Sequence, residues 1–252
     1  MDLTGCVAAI TGGAGGLGAA VARHVAGAGG SVAILDLDEG GADLAADLGG
    51  RFFKLDVTDA AACAEALGAV AEGGRLDLMV NCAGIAPAAK TVGRGGAHDP
   101  ALFAKVIGIN LIGTFNCASA AAAIMAAQDG RGPDGERGVI VNTASVAAYE
   151  GQVGQAAYAA SKGGVASLTL PMARDLAGLG IRVVAVAPGL FLTPMLEGLP
   201  QEVQDSLGAQ VPYPSRLGDP AEFAALVGQI AENRMLNGSV IRLDGAIRMA
   251  PR

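Results

Sequence analysis

Short runs of apolar and β-branched residues alternate with longer alanine-rich segments along the chain. This alternation is typical of βαβ units, in which a helix connects each strand to a parallel neighbour. Most of the runs are continuously apolar, as expected for strands that helices cover on both faces. The predicted strands are Val7–Thr11, Val32–Asp36, Phe52–Asp56, Leu76–Asn81, Val139–Thr143, Arg182–Ala187 and Val240–Leu243. We therefore predict an α/β fold with a doubly wound, parallel, seven-stranded sheet flanked by helices.

The segments between these strands predict helices and two candidate ligand-binding walls. The predicted helices are Leu17–Ala28, Gly41–Leu48, Ala60–Glu72, Ala101–Ala127, Gln155–Leu179 and Pro220–Asn233. No internal repeat or linker divides the sequence, so residues 1–252 are predicted to form a single domain. The irregular stretches Ala86–Pro100 and Leu190–Gly218 follow the carboxyl ends of strands, where open parallel sheets bind ligands. Gln128–Arg137 enters a strand instead and is expected to be a surface loop.

Composition argues against several classes of function. The 24 acidic residues outnumber the 17 basic ones, and phosphate backbones require clustered cations, so nucleic acid is not an expected partner. Gly, Asp or Arg interrupts the apolar stretches before about 18 residues, so no membrane partner is expected, and the amino terminus does not resemble a signal peptide. The four cysteines lack CxxC spacing, which predicts reduced thiols, and two isolated histidines predict no metal site. We expect a cytoplasmic protein.

A glycine-rich turn follows the first predicted strand and opens a helix. Its residues fit two patterns, GxGxxG (Gly13, Gly15, Gly18) and TGxxxGxG (Thr11, Gly12, Gly16, Gly18). Glycines allow a phosphate to approach the backbone closely, and the free N–H groups and dipole of the helix N-terminus favour an anion. The turn therefore predicts a pyrophosphate site for a dinucleotide; glycines that serve only strand–helix packing are the alternative.

Asp36 ends the second predicted strand, where an acidic side chain can bind the hydroxyls of an adenosine ribose. A 2′-phosphate about 4 Å away would meet roughly 4 kcal/mol of repulsion per charge at an effective dielectric constant near 20. No Arg or Lys in the glycine turn or within Leu37–Leu48 offsets that repulsion, so NAD is predicted over NADP. The alternative is that Asp36 caps a helix. Asp56 ends the third predicted strand and is a predicted adenine contact or a cap of the next helix.

Tyr158 and Lys162 are four residues apart in a predicted helix, which places both side chains on one face. A neighbouring lysine cation would lower the pKa of the tyrosine by roughly 1–3 pH units, toward the range of efficient general acid–base catalysis. Ser145 follows the fifth predicted strand, where its hydroxyl can hold a substrate oxygen, and no nearby histidine activates it as a hydrolase nucleophile. The alternatives are that Tyr158 and Lys162 form a pair on the surface of a helix and that Ser145 is a cap or turn residue. Asn110, inside a predicted helix, is either a buried polar bridge or an exposed residue.

Taken together, these motifs resemble the short-chain dehydrogenase/reductase family over almost the whole chain. The matching pieces are Thr11–Gly18, Asp36, Asn81–Gly84, Asn110, Ser145, Tyr158–Lys162 and Pro188–Gly189. Cys82 stands where the family usually has a second asparagine. The resemblance implies a Rossmann fold and an NAD-dependent oxidoreductase that interconverts a secondary alcohol and a ketone.

The resemblance also implies roles for the matched residues. Tyr158 would be the general acid–base and Ser145 would orient the substrate oxygen. Lys162 would bind the nicotinamide ribose and tune Tyr158, while Asn110 would position a water molecule in a proton relay. Gln155 joins Ser145 and Tyr158 as an implied substrate contact. The implied cofactor-binding residues are Gly12, Gly15, Gly16, Leu17, Gly18, Asp36, Asp56, Val57, Cys82, Ala83, Gly84, Tyr158, Lys162, Pro188, Gly189, Phe191 and Thr193.

Several segments are most similar to family members that act on 3-hydroxyacyl-CoA: Val139–Ala148, Gly151–Tyr158, Ala187–Phe191, Pro214–Pro220 and Leu236–Met249. The implied substrate is a short acyl-CoA with a 3-hydroxyl group; a hydroxysteroid, a 3-oxoacyl carrier-protein substrate and a non-catalytic NAD-binding module are the alternatives. Lys90 and Arg94 would contact the CoA phosphates or are solvated surface charges. Family members are usually homotetramers built through the two long helices, here around Ala101–Ala127 and Gln155–Leu179.

Overall fold

Seven parallel strands form one sheet at the centre of the structure, a computed structural model that describes residues 1–72, 74–198 and 200–251. The strands of this sheet are β1 (Val7–Thr11), β2 (Ser31–Asp36), β3 (Arg51–Lys54), β4 (Leu78–Asn81), β7 (Gly138–Thr143), β8 (Ile181–Pro188) and β9 (Val240–Leu243), while β5 (Val92–Gly93) and β6 (Gly96–Ala97) form a separate antiparallel hairpin. The sheet order is β3-β2-β1-β4-β7-β8-β9. The order reverses direction between β1 and β4, so the predicted doubly wound sheet is confirmed.

Helices cover both faces of the sheet. They are α1 (Gly16–Gly27), α2 (Gly41–Asp47), α3 (Ala60–Ala71), α4 (Pro100–Ile107), a π-helical segment (Gly108–Gly113), α5 (Thr114–Ala126), a 3-10 turn (Val146–Ala148), α6 (Ala156–Ala177), α7 (Pro194–Glu197), α8 (Gln201–Gly208) and α9 (Pro220–Glu232). Asp59, Asp99 and Asp219 accept hydrogen bonds from the first N–H groups of α3, α4 and α9, which explains where these helices begin.

The core consists of two apolar layers separated by the sheet. Successive side chains of a strand point to opposite faces. Ile10 and Ile34 therefore belong to the layer that includes Phe223 of α9, whereas Met79 and Ile140 belong to the layer beneath α3 and α5. This two-sided burial explains why the strands read as continuously apolar runs.

Three differences from the predicted elements have local causes. The third strand ends at Lys54, because Asp56 turns the chain by accepting hydrogen bonds from Thr58. The π-helical segment interrupts the predicted helix Ala101–Ala127. The stretch Leu190–Gly218 holds two helices that its prolines do not disrupt, since Pro194 begins α7 and Pro200 immediately precedes α8.

The helical stretch Pro100–Ala126 also corrects the expectation that no apolar stretch reaches membrane length. It has 27 residues and a mean hydropathy of 1.5 over an 18-residue window, so by length and composition alone it could cross a membrane. Its α5 part packs on α3 and on the sheet, and Cys117, Ala118 and Ala121 are fully buried there. The α5 part is therefore a core helix of this fold.

Candidate active site

A cleft of about 1090 Å³ lies at the carboxyl ends of the strands, where polar and glycine residues from distant parts of the chain converge. The catalytic, cofactor-binding and substrate-binding residues that the family resemblance implies all line it, except Asn110. They are Gly12, Gly15, Gly16, Leu17, Gly18, Asp36, Asp56, Val57, Cys82, Ala83, Gly84, Ser145, Gln155, Tyr158, Lys162, Pro188, Gly189, Phe191 and Thr193. The structure thus brings the glycine turn and the Tyr158 motif into one site, although they are well over a hundred residues apart.

The glycine turn forms one end of the cleft, and its glycines are required by close contacts. Gly12 has a positive φ of 63°, and a Cβ atom there would lie 2.7 Å from the backbone nitrogen of Ala83. A Cβ atom at Gly18 would overlap the carbonyl of Gly12. Gly15 is the N-cap of α1 and offers no side-chain acceptor, so the first N–H groups of the helix remain available to an anionic ligand.

Asp36 supports this turn from the end of β2. Its Oδ2 accepts a hydrogen bond from the Ala14 backbone N–H at 3.0 Å, and its Oδ1 accepts one from Asp38 at 3.1 Å. The N-cap of α2 is Gly40, so the alternative interpretation of Asp36 as a helix cap is wrong. Each carboxylate oxygen keeps a further lone pair, with which it can accept a hydrogen bond from a ligand hydroxyl.

Asp56 and Val57 form the adjoining wall. Asp56 Oδ1 accepts hydrogen bonds from the N–H group and the hydroxyl of Thr58, at 2.9 and 2.8 Å. The cap of α3 is Asp59, which excludes that alternative for Asp56. Val57 is buried and packs against Gly113 of the π-helical segment.

A buried polar row runs beneath the cleft across three neighbouring strands. Thr11, Asn81 and Asn142 pair in register at the ends of β1, β4 and β7. Asn81 Nδ2 donates to Asn142 Oδ1 at 2.9 Å, and the Thr11 hydroxyl accepts a hydrogen bond from Ala83 N–H at 3.3 Å. This row holds the backbone of Cys82–Gly84 against the glycine turn. The role of Asn142 was not predicted, although a polar residue inside an apolar strand is the signal that points to it.

Ser145 and Tyr158 lie together at the other end of the cleft. Ser145 caps the 3-10 turn, and its Oγ accepts a hydrogen bond from Ala147 N–H at 3.1 Å, so the alternative cap role coexists with its place in the site. Burial raises the pKa of the Tyr158 phenol, and the hydrogen bond with the Ser145 hydroxyl opposes this only in part.

Lys162 is buried beneath Tyr158. Its Nζ donates a hydrogen bond to the Thr143 carbonyl at 2.6 Å and lies 5.9 Å from the centre of the Tyr158 ring. Burial lowers the pKa of the amine to about 8, and the Cys82 thiol opposes this effect slightly. The prediction that Lys162 lowers the pKa of Tyr158 is wrong for this structure, because burial raises the pKa of Tyr158 and only the Ser145 hydrogen bond opposes it.

Asn110 is fully buried in the π-helical segment behind the cleft. Its side chain bonds to both backbone groups of Ile85 at 2.9 Å and donates to Ser161 Oγ at 3.1 Å. The alternative of a buried polar bridge is thus confirmed, while the implied water relay stays a prediction. A Cβ atom at Gly84 would lie 3.2 Å from Asn110 Oδ1, a tight contact, and 3.7 Å from Lys162 Nζ, so Gly84 packs closely against both side chains.

The cleft lining includes the predicted residue Gln155 and other residues beyond the predicted set. Gln155 is the N-cap of α6, and its Oε1 accepts a hydrogen bond from Gln152 N–H at 2.9 Å. Gln152 and Met249 belong to the lining as well; both lie in segments that resemble other family members, but no site role was predicted for either. Lys90 and Arg94 are exposed and are not among the described residues that line the cleft.

The remaining predicted features of the site concern cysteines and metals. All four cysteines are free thiols, and Cys82 is half-buried at the cleft wall. Within residues 1–72, 74–198 and 200–251, no three side chains of His, Cys, Asp or Glu group together as metal ligands would.

Comparison with known proteins assigns the chain to a family. The family model described as short chain dehydrogenase matches residues 6–204. The chain is 56% identical to human 3-hydroxyacyl-CoA dehydrogenase type-2, covering 99% of this chain and 98% of the relative. It is 51% identical to the protein of that name from Drosophila melanogaster, over 97% of this chain and 98% of the relative.

A solved structure agrees with these matches. The crystal structure of 3-hydroxyacyl-CoA dehydrogenase type-2 from Mycobacterium avium superposes with a TM-score of 0.94 at 43% identity, and the match covers 98% of both chains. With its glycine turn, Ser145, Tyr158 and Lys162 in one cleft, the chain belongs to the short-chain dehydrogenase family.

Proposed function

We propose that this protein is an NAD-dependent dehydrogenase that oxidises the 3-hydroxyl group of an acyl-CoA to a ketone, reversibly. One observation carries the proposal: a single cleft holds both a dinucleotide cradle that ends at Asp36 and the Ser145–Tyr158–Lys162 group. The substrate class is supported by the relatives named 3-hydroxyacyl-CoA dehydrogenase type-2, which match nearly the full length of the chain.

The cradle fits a dinucleotide. Gly12 and Gly18 leave space that a Cβ atom would fill, and the uncapped start of α1 suits a pyrophosphate. Asp36 would bind the adenosine ribose, and its carboxylate would repel the 2′-phosphate of NADP, which favours NAD. When NAD is bound, its nicotinamide accepts the hydride from the substrate.

The side chains at the other end of the cleft would handle the substrate proton. The Ser145 hydroxyl would donate a hydrogen bond to the substrate oxygen and hold it beside the Tyr158 Oη. In the oxidative direction Tyr158 Oη would take the proton of the substrate hydroxyl, and in the reductive direction it would return that proton to the oxygen. Gln155, the N-cap of the helix that carries Tyr158, would contact the substrate as well.

The raised pKa of Tyr158 gives the two directions opposite pH dependences. A phenol with a raised pKa is protonated at neutral pH, which suits the acid required for reduction. For oxidation the phenol must first release its own proton, so the share of Tyr158 that can accept the substrate proton rises with pH. We therefore expect the oxidation rate to increase as pH rises above neutral.

A homotetramer built through α4, α5 and α6 is part of the proposal. Ile112, Phe115 and Leu170 are about half exposed on these helices and the π-helical segment between α4 and α5, at 50, 49 and 44%, and Phe103 is also exposed. Apolar side chains that lie on neighbouring exposed helices favour burial against a second copy of the chain. A cytoplasmic location, consistent with the free thiols, stays a prediction.

A kinetic screen tests the proposed function. Purified protein is assayed with NAD and with NADP against 3-hydroxyacyl-CoAs, hydroxysteroids and, in the reductive direction, a 3-oxoacyl carrier-protein substrate. The expected result is the highest kcat/KM for a 3-hydroxyacyl-CoA with NAD. A higher kcat/KM for a steroid or carrier-protein substrate would contradict the substrate assignment, and a preference for NADP would contradict the role of Asp36.

A further inference from the structure

Met249 lines the same cleft as Ser145 and Tyr158, although the sequence predicts no site role for it. The neighbouring lining residues are Gln152 and Gln155, which lead into the helix of Tyr158. The glycine turn and Asp36 lie at the ends of β1 and β2, toward the β3 edge of the sheet, whereas Met249 follows β9 at the other edge. Met249 therefore lies at the substrate end of the cleft.

The segment that carries Met249 is held directly to the loop of the active site. Gln152 Nε2 donates a hydrogen bond to the Ala250 carbonyl at 3.0 Å, and Val153 N–H donates one to the Pro251 carbonyl at 3.0 Å. Both bonds connect the two residues that follow Met249 to Gln152 and Val153, which precede Gln155 in the chain. The position of Met249 is thus tied to the loop that places Tyr158.

A charged network fixes the turn that directs this segment back to the cleft. Arg242 of β9 donates two hydrogen bonds to the Glu150 carboxylate, at 2.8 and 2.9 Å, and a third to Asp244 at 2.7 Å. Arg248 bonds to the same Asp244 at 3.1 Å. Bidentate arginine–carboxylate pairs are directional, so they define geometry as well as adding energy.

The turn itself adopts a conformation that alanine rarely takes. Ala246 has a φ of 68°, and its N–H donates to Asp244 Oδ1 at 3.0 Å. A non-glycine residue in the left-handed region is strained and persists only where surrounding contacts impose it. The chain is therefore constrained over several residues to bring Met249 to the cleft.

We propose that Met249 limits the length of the acyl chain that the site accepts. The inference rests on the proposed function, since it concerns the acyl part of that substrate. Methionine is flexible and apolar, so it can pack along a short alkyl chain while its volume obstructs a longer one. The polar neighbours Gln152 and Gln155 would contact the carbonyl and thioester end instead.

The test compares Met249→Ala and Met249→Phe with the unchanged protein. The kcat/KM is measured with NAD for 3-hydroxyacyl-CoAs of increasing length, from 3-hydroxybutyryl-CoA to 3-hydroxydodecanoyl-CoA. One methylene group in an apolar pocket changes kcat/KM by about tenfold or more. Met249→Ala is expected to raise the ratio of long-chain to short-chain kcat/KM by at least about tenfold, and Met249→Phe is expected to lower it. The KM for NAD should not change in either variant.

Met235→Ala is the matched control, because Met235 is 91% exposed and lies outside the cleft. Its chain-length profile should equal that of the unchanged protein. A chain-length profile that keeps its shape in both Met249 variants would overturn the proposal while leaving the proposed function intact. If the unchanged protein oxidises no 3-hydroxyacyl-CoA at any length, the proposed function and this inference both fail.

Discussion

Replacement of Lys162 with methionine is expected to change how the stability of the protein depends on pH. Burial lowers the pKa of this amine from 10.5 to about 8, so between these values the folded chain binds fewer protons than the unfolded chain. The free energy of unfolding contributed by this group therefore rises with pH across that window and is at its lowest below pH 8. At about 1.4 kcal/mol per pH unit, the full rise is about 3 kcal/mol.

The assay is denaturant unfolding of the unchanged protein and of Lys162→Met, at one protein concentration and at several values between about pH 7 and pH 10. Subtracting the two curves removes the groups that both proteins share, including Tyr158. The unchanged protein should gain about 2–3 kcal/mol over the variant between the two ends of this range. Parallel curves would refute the argument, because they would show that Lys162 has nearly the same pKa in the folded and unfolded states.

Three further predictions concern the ends of the cleft. Gly18→Ala should weaken NAD binding at least about tenfold in calorimetric titration, because the new methyl group overlaps the turn. By contrast, Gly68→Ala, with open space around it on α3, should stabilise the protein by about 0.5–1 kcal/mol in thermal unfolding. Asp36→Ser combined with Leu37→Arg should shift the NADP to NAD ratio of kcat/KM by about a hundredfold toward NADP, and an unchanged ratio would remove Asp36 from the cofactor assignment. Ser145→Ala should lower kcat about 10²–10³-fold with little change in KM for NAD, and steady-state kinetics would reveal any smaller effect.

The sequence predicts the fold and most of the cleft because their signals are local. The residues of the glycine turn are contiguous, so the turn and the start of the helix that follows it can be recognised in the sequence alone. Asp36, Ser145 and Tyr158 each lie just after a recognisable strand or at the start of a recognisable helix, so the topology of a parallel sheet brings them to one edge.

Other parts of the site depend on contacts between distant residues. The pKa directions of Tyr158 and Lys162 follow from burial, which spacing does not report. Asn110 is held by Ile85 within a π-helical segment that a helical pattern does not distinguish from an α-helix. Met249 reaches the cleft through a turn in which an alanine takes a positive φ, and that conformation has no sequence signature.

The central claim is that Tyr158 transfers the substrate proton, and Tyr158→Phe tests it most directly. The variant keeps the ring and loses only the hydroxyl, so NAD binding, followed by fluorescence or calorimetry, should be retained within about twofold. The kcat should fall by about 10²–10⁴-fold, the usual contribution of general acid–base catalysis. Tyr213→Phe, at an 84% exposed tyrosine, is the control and should behave as the unchanged protein. A Tyr158→Phe variant with near-normal kcat would contradict the assignment of Tyr158.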